Sequence, residues 1–110
     1  MTTQTQQQVN WIGKSGLSYT YTVYELSAVW LDVPGNYIFA KLEQNGFWSA
    51  IYVGETGSFK TRLVDSHEKL LCAQQYGFTH VHARTNYDGE SARLTEEKDL
   101  RGLCPPCNLE

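Results

Sequence analysis

The chain has no long run of apolar residues; none approaches the ~18 that a membrane-spanning helix requires. Its first residues, Met1 to Gln8, contain neither a basic region nor an apolar stretch, so they are not typical of a secretory signal. Cysteine is scarce. An odd count of three without an export signal favours a reducing cytoplasm over a disulfide scaffold. We therefore expect a cytoplasmic protein with no membrane partner.

Positive charge is also sparse. The 9 lysines and arginines are outnumbered by 12 acidic residues, the formal net charge is −3, and no basic run occurs. Nucleic-acid-binding domains normally show a basic footprint. Any such binding here would need a local cluster of basic side chains or a partner protein that supplies affinity.

Length and composition fit one small globular domain. The 110 residues, 41% of them hydrophobic, can form a single modest core. We expect a polar, mobile tail over residues 1–10 and a single domain over residues 11–108. Residues 109–110 resemble a remnant of an expression vector and are left out of the fold prediction.

An Asn45–Gly46 pair between two alternating, β-rich segments predicts a central hairpin at about residues 36–53. Both residues accept the positive φ of a two-residue type I′ turn. With that turn, Tyr37 lies opposite Gly54, and Tyr37 and Tyr52 become diagonal neighbours on one face. Tyrosines in strands usually serve packing alone, so the pair is not by itself a site. The predicted core lies on the opposite face: Ile38, Ala40, Leu42, Ile51 and Val53.

The other elements complete an α+β fold, a small and mostly antiparallel sheet packed with three helices. A dense β-branched and aromatic run predicts an extra N-terminal strand at about residues 18–26, and alternation predicts a strand at about 79–84. A first helix is expected to begin at Phe59 and a second at Asp65 or Ser66. The third runs from about residue 91 to residue 103.

The last helix has one anomalous charge. Its inward stripe includes Leu100, and Glu96 lies four residues earlier on the same stripe. A carboxylate on an apolar helix face costs roughly several kcal/mol unless it is paired, hydrogen-bonded or bound to a metal. Glu97 instead points outward with Arg93 as its partner one turn earlier, which is typical of solvated surface. Glu96 is therefore the candidate functional carboxylate.

Five short motifs occur in order along the chain. They are Gly35–Asn36–Tyr37, Tyr52–Val53–Gly54, Arg62, His67, and a closing series of Glu96, Pro105 and Asn108. In order and spacing they resemble the GIY-YIG endonuclease domain, the nuclease module of some homing endonucleases and of the incision subunit of bacterial excision repair. Asn36 and Val53 replace the isoleucines of the two naming motifs, and the strand at 18–26 precedes the usual start of the domain.

The resemblance implies a metal-dependent endonuclease that hydrolyses phosphodiester bonds of nucleic acid, with DNA as the expected substrate. Tyr37 would orient the attacking water and accept its proton, and Tyr52 would hold the scissile phosphate or assist Tyr37. Arg62 would bind phosphate oxygens. Glu96 would ligate one Mg²⁺ or Mn²⁺ ion. The remaining candidates contact substrate or support the site: Gly54, Lys41, His67 and Asn108.

Two other functions are compatible with the sequence. Cys104 and Cys107 form a C-x-x-C pair, and a zinc site would need His80 and His82 as further ligands. Cys72 is predicted to be a small core residue. The stronger alternative is a catalytically weak binding or accessory module with the same fold, acting within a larger nucleic-acid-processing assembly, which the negative net charge favours.

Overall fold

The computed structural model describes residues 6–109, and these form a five-stranded sheet with three helices. The strands are β1 Gln8–Ile12, β2 Ser18–Glu25, β3 Gly35–Leu42, β4 Trp48–Thr56 and β5 His80–Thr85. The helices are α1 Phe59–Arg62, α2 Leu70–Gln75 and α3 Glu90–Arg101, and a 3₁₀ turn follows at Pro106–Asn108.

Neighbouring strands are antiparallel throughout, in the order β1-β2-β5-β3-β4. The predicted α+β class is confirmed, with the central hairpin in β3 and β4 and the two further strands in β2 and β5. Because β5 lies between β2 and β3, the extra N-terminal strand belongs to the same sheet as the hairpin.

Strand β1 was not predicted. It begins at Gln8, inside the expected tail, because Trp11 is buried and Val9 packs beside it against the sheet. The prediction of a mobile tail is therefore wrong for residues 8–10, whereas residues 1–5 lie outside the described part of the chain. At the other end, residue 109 is described and residue 110 is not.

The hairpin loop has three residues rather than the predicted two. The amide of Glu43 donates to the carbonyl of Phe47 at 2.8 Å, and Gly46 adopts a φ of +88°. A shift of one position would turn β4 over, but a bulge at Ile51 absorbs the extra residue. Tyr37 therefore keeps its predicted partner. Ile51 packs in the cluster of Tyr37, so its predicted place on the opposite face is wrong.

Both faces of the sheet are buried, whereas the prediction placed the core on one. We call them the α2 face, covered by α1, α2 and the 3₁₀ turn, and the α3 face, covered by α3. The α2 face buries Tyr37, Phe39, Ile51, Phe59, Cys72, Ala73, Val81, Ala83 and Cys107. The α3 face buries Trp11, Tyr21, Ile38, Ala40, Val53 and Leu100.

A disulfide joins Cys72 on α2 to Cys107 in the 3₁₀ turn, whereas Cys104 is free and exposed. The expectation that the cysteines form no disulfide is therefore wrong. A reducing compartment keeps thiols reduced, so this bond is at odds with the predicted cytoplasmic location, which stays a prediction. Within residues 6–109, no helix has both the length and the apolar character needed to cross a membrane.

Candidate active site

Tyr37 on β3 and Tyr52 on β4 lie side by side on the α2 face, with ring centroids 6.1 Å apart. Tyr37 pairs with Gly54 across the hairpin. A Cβ atom at residue 54 would overlap the Tyr37 ring. The glycine thus makes room for this phenol, and the predicted contact of Gly54 with substrate stays a prediction.

His67 reaches the same place from the turn before α2. The helix begins at Leu70, later than predicted, and the side chain of His67 is buried in the preceding turn. Its Nδ1 accepts from the backbone amide of Lys69 at 3.0 Å. Burial and the charge of Arg62 lower the pKa of His67 to about 4, so the ring is neutral at pH 7. Its one proton is therefore on Nε2, which donates to the Tyr37 hydroxyl at 2.6 Å.

Arg62, the last residue of α1, completes the group around the two phenols. Its Nη1 and Nη2 donate to the two carboxylate oxygens of Glu68 at 3.0 and 2.6 Å. Its charge also lowers the pKa of Tyr37 and of Tyr52. The fork predicted to bind phosphate is present, and here it binds a carboxylate.

Both phenols are protonated at neutral pH. Burial raises the pKa of Tyr37 well above its usual value, and the neighbouring Tyr52 adds to this effect. Burial, followed by the Glu97 carboxylate, raises the pKa of Tyr52. Arg62 partly offsets both increases. Either phenol therefore needs more positive charge than Arg62 supplies before it can act as a base.

Glu96 does not reach this site. It lies on the α3 face, 4% exposed, where Tyr21 and Arg84 each donate to its carboxylate at 2.5 Å. Burial raises the pKa of Glu96, and the hydrogen bond from Tyr21 and the charge of Arg84 oppose the increase. The inward-facing carboxylate was correctly predicted, but its convergence with the tyrosines is wrong, because the sheet lies between them. Pairing, with no need of a metal, satisfies this charge.

Glu97 is the α3 carboxylate that interacts with the tyrosine site. Its side chain is 19% exposed, and its charge acts on Tyr52 and Arg62. Burial raises the pKa of Glu97, and the nearby Glu55 adds to the increase. Its one ion pair, to Arg101, is long at 3.6 Å. The expectation of an outward, solvated Glu97 is therefore wrong.

Sequence spacing alone does not select Glu97 over Glu96, because the phase of the inward stripe depends on the burial of Arg93, a tertiary contact. Arg93 is buried on α3 and pairs with Glu55 at 3.2 Å, so it is not the surface partner expected for Glu97. A stripe of period 3.6 that starts at Arg93 and reaches Leu100 passes between Glu96 and Glu97. Both glutamates therefore lie on the inward half of the helix. The prediction counted back four residues from Leu100 and so selected only Glu96.

Two further candidates lie apart from the phenols or serve the backbone. Lys41 lies four residues along β3 from Tyr37, roughly 13 Å at strand spacing, and its ammonium is 3.7 Å from Glu43. Asn108 uses both polar atoms of its amide on Val53, accepting from its N–H at 2.8 Å and donating to its carbonyl at 2.9 Å. Asn108 therefore anchors the 3₁₀ turn to β4, which is the supporting role predicted for it. The predicted contacts of Lys41 and Asn108 with substrate stay predictions.

The zinc alternative is wrong. Cys107 is in the disulfide, and His82 is fully buried with its Nδ1 accepting from Trp11 at 2.9 Å. Among the residues that the structure describes, no three His, Cys, Asp or Glu side chains form a group that could hold a metal ion. A single carboxylate with waters still suits Mg²⁺, which retains much of its hydration shell.

The structure thus brings together four predicted residues, Tyr37, Tyr52, Arg62 and His67, and adds Glu97 to them. Glu96 and Lys41 are elsewhere. Comparisons with known proteins find no matching family model, no matching curated protein and no matching solved structure.

Proposed function

We propose that this chain is a metal-dependent phosphodiester hydrolase of the GIY-YIG type that acts on nucleic acid, with DNA as the expected substrate. One observation carries the proposal: residues from four separate motifs converge on the α2 face, and the Glu97 carboxylate of α3 acts on one of the two phenols, that of Tyr52. Phenols, a guanidinium and a carboxylate are costly to gather in a half-buried place, and packing alone does not require them.

A divalent ion, Mg²⁺ or Mn²⁺, fits Glu97 better than Glu96. Among the described residues, the one ion pair of Glu97 is the long one with Arg101, so its oxygens keep lone pairs for a cation. The oxygens of Glu96 are taken by Tyr21 and Arg84. Bound at Glu97, the ion would supply Lewis-acid stabilisation of the phosphate and the leaving oxygen.

The protein's own side chains would bind and orient the reactants. Arg62 would bind the non-bridging phosphate oxygens through its fork. Tyr52 would donate a hydrogen bond to the scissile phosphate. Tyr37, held by the Nε2–H of His67, would orient the attacking water, and it could take the water's proton only once positive charge is added beside it.

A binding or accessory module is the second candidate. The formal net charge of −3 and the pairing of Arg62 with Glu68 favour it, because phosphate contacts supply most non-specific affinity for nucleic acid. Such a module would rely on a partner protein for affinity and would act within a larger nucleic-acid-processing assembly.

Plasmid nicking separates the two candidates. We expect the protein to nick supercoiled DNA in Mg²⁺ or Mn²⁺ but not in chelator, and Tyr37→Phe to remove the activity while the protein still unfolds cooperatively. Parallel reactions with single-stranded DNA and RNA define the substrate. Binding without cleavage in every condition would favour the accessory module, and neither binding nor cleavage would contradict both.

A further inference from the structure

Glu68 occupies the part of Arg62 that a phosphate would use. The two carboxylate oxygens of Glu68 face the two terminal nitrogens of the guanidinium at 2.6 and 3.0 Å, a parallel, bidentate arrangement. Carboxylates and phosphates both present two oxygens to this fork at similar spacing. The hydrogen bonds from Arg62 also lower the pKa of Glu68, so the carboxylate is ionised at neutral pH.

Stability does not explain this pair. The side chain of Glu68 is 64% exposed, and surface ion pairs contribute only about 0–1 kcal/mol to folding. Glu68 instead occupies the guanidinium of Arg62, whose charge lowers the pKa of both Tyr37 and Tyr52.

The backbone around Glu68 is fixed while its carboxylate is in solvent. His67, the preceding residue, is buried against Tyr37, and its ring accepts a hydrogen bond from the backbone amide of Lys69. These contacts hold the turn on both sides of Glu68. Rotation of the Glu68 side chain can therefore release Arg62 without moving His67 or Tyr37.

We propose that Glu68 is an internal mimic of a substrate phosphate, which holds the Arg62 fork closed in the free protein and must be displaced when nucleic acid binds. This inference rests on the proposed function and adds a positioning residue to it, one that acts through Arg62. Glu68 competes with substrate for the fork, so it weakens substrate binding and leaves the later chemical step unchanged.

The test compares Glu68→Gln with Asp65→Asn. Both variants remove one exposed carboxylate from the same turn, but only Glu68 contacts Arg62. Binding of a labelled DNA duplex is followed by fluorescence anisotropy in Ca²⁺ at fixed salt, so that turnover does not interfere. We expect Glu68→Gln to lower Kd about tenfold, within the range for hydrogen bonds to a charged group. Asp65→Asn should change it by less than about twofold.

Two further measurements distinguish displacement from a general effect of charge. In an Arg62→Lys background, which keeps the charge and loses the fork, Glu68→Gln should add no more affinity than Asp65→Asn. In Mg²⁺, Glu68→Gln should lower KM by more than it changes kcat, a division that a merely structural role would not produce.

The outcomes separate this inference from the function on which it rests. If the wild-type protein cleaves DNA and Glu68→Gln gains no more affinity than Asp65→Asn, or binds more weakly, the role of Glu68 is overturned and the proposed function stands. A gain that persists undiminished in Arg62→Lys also overturns it. If neither the wild type nor any variant binds or cleaves DNA, both are overturned.

Discussion

Glu96 and Glu97 follow one another on α3 but have opposite surroundings. Glu96 is 4% exposed on the α3 face, with hydrogen bonds from Tyr21 and Arg84. Glu97 is 19% exposed, has one long ion pair, and acts on the phenol of Tyr52. A helix turns by about 100° per residue, which is enough to give the two carboxylates different neighbours.

The two carboxylates differ in how completely they are paired, although two other buried atoms of the α3 face, Oδ1 of Asn36 and Nε2 of His82, have no hydrogen-bond partner among the described residues. On the α3 face, the buried charge is matched by donors at short distance, which is what a structural ion pair requires. Glu97 is partly buried with one long ion pair, and its charge acts on the partly buried Tyr52, as is common where a protein binds ligand. The proposed role of Glu97 therefore depends on its incomplete pairing and not on burial alone.

The largest expected effect is the difference in nicking rate between variants in which Glu96 or Glu97 is neutralised singly. Glu97→Gln should reduce metal-dependent nicking at least about 1,000-fold, because loss of metal binding removes several kcal/mol of transition-state stabilisation. Glu96→Gln is the matched control and should nick at nearly the wild-type rate below its unfolding temperature. Initial rates on supercoiled plasmid measure both, and equal losses in the two variants would contradict the division between faces.

Reduction of the disulfide tests the α2 face alone. The Cys72–Cys107 bond closes a loop with a sequence separation of 35 residues, which in the chain-entropy account contributes about 4 kcal/mol of stability. Urea unfolding with and without dithiothreitol should show a loss of this size. Cys104→Ser, which leaves the bond intact, should unfold like the wild type. Identical midpoints with and without reductant would show that the bond does not stabilise this face.

Glu96→Ala tests the α3 face by removing the carboxylate while leaving its donors. Tyr21 and Arg84 would lose their acceptor, and breaking a buried pair in this way costs about 3 kcal/mol, the low end of the usual range because the side chain of Arg84 is 34% exposed. Urea unfolding measures the loss. Nicking by the folded fraction should persist, and its disappearance would return Glu96 to the active site.

Each face also has one buried histidine, and both should make the protein sensitive to acid. Burial lowers the pKa of His67 and of His82 to about 4, from an ordinary value of 6.5. Because the folded pKa is the lower one, the stability each contributes is present above pH 6.5 and is lost as the pH falls towards 4. Between pH 7 and pH 5, each ring should account for about 2 kcal/mol of lost stability.

Single histidine variants measure this contribution. His67→Gln and His82→Gln do not titrate, so each should lose about 2 kcal/mol less than the wild type between pH 7 and pH 5 in urea unfolding. The glutamates titrate alike in all three proteins and cancel in the comparison. A variant with the full wild-type dependence on pH would show that its histidine is not held neutral in the folded state.

Much of the fold could be predicted because local patterns agreed with it. Asn45 and Gly46 marked the hairpin, and the β-branched and aromatic run at 18–26 became β2. The predicted loop was one residue too short, and the bulge at Ile51 restores the predicted pairing of Tyr37. Turn residues alone cannot indicate such a bulge. β1 was missed because its Val9 and Trp11 follow a glutamine-rich start that is typical of a polar tail, and its pairing with β2 and the burial of Trp11 are tertiary contacts.

The parts of the candidate site that depend on sequence motifs were predicted correctly. The part that depends on which side of α3 faces the sheet was missed. Tyr37 and Tyr52 followed from pairing across the hairpin, and Arg62 and His67 from motif order. The choice between Glu96 and Glu97 depends on which side of α3 faces β4, a tertiary contact. The Cys72–Cys107 bond was missed for the same reason, since sequence spacing does not determine which cysteines meet.

The position of a bound metal tests the central claim most directly. Crystals soaked in Mn²⁺ and measured at the manganese absorption edge would locate the ion by its anomalous signal. We predict a peak within about 2.2 Å of a carboxylate oxygen of Glu97, on the side of Tyr52 and Arg62. A peak at Glu96, or none in crystals of a protein that cleaves DNA with Mn²⁺, would contradict the assignment of the active site to the α2 face.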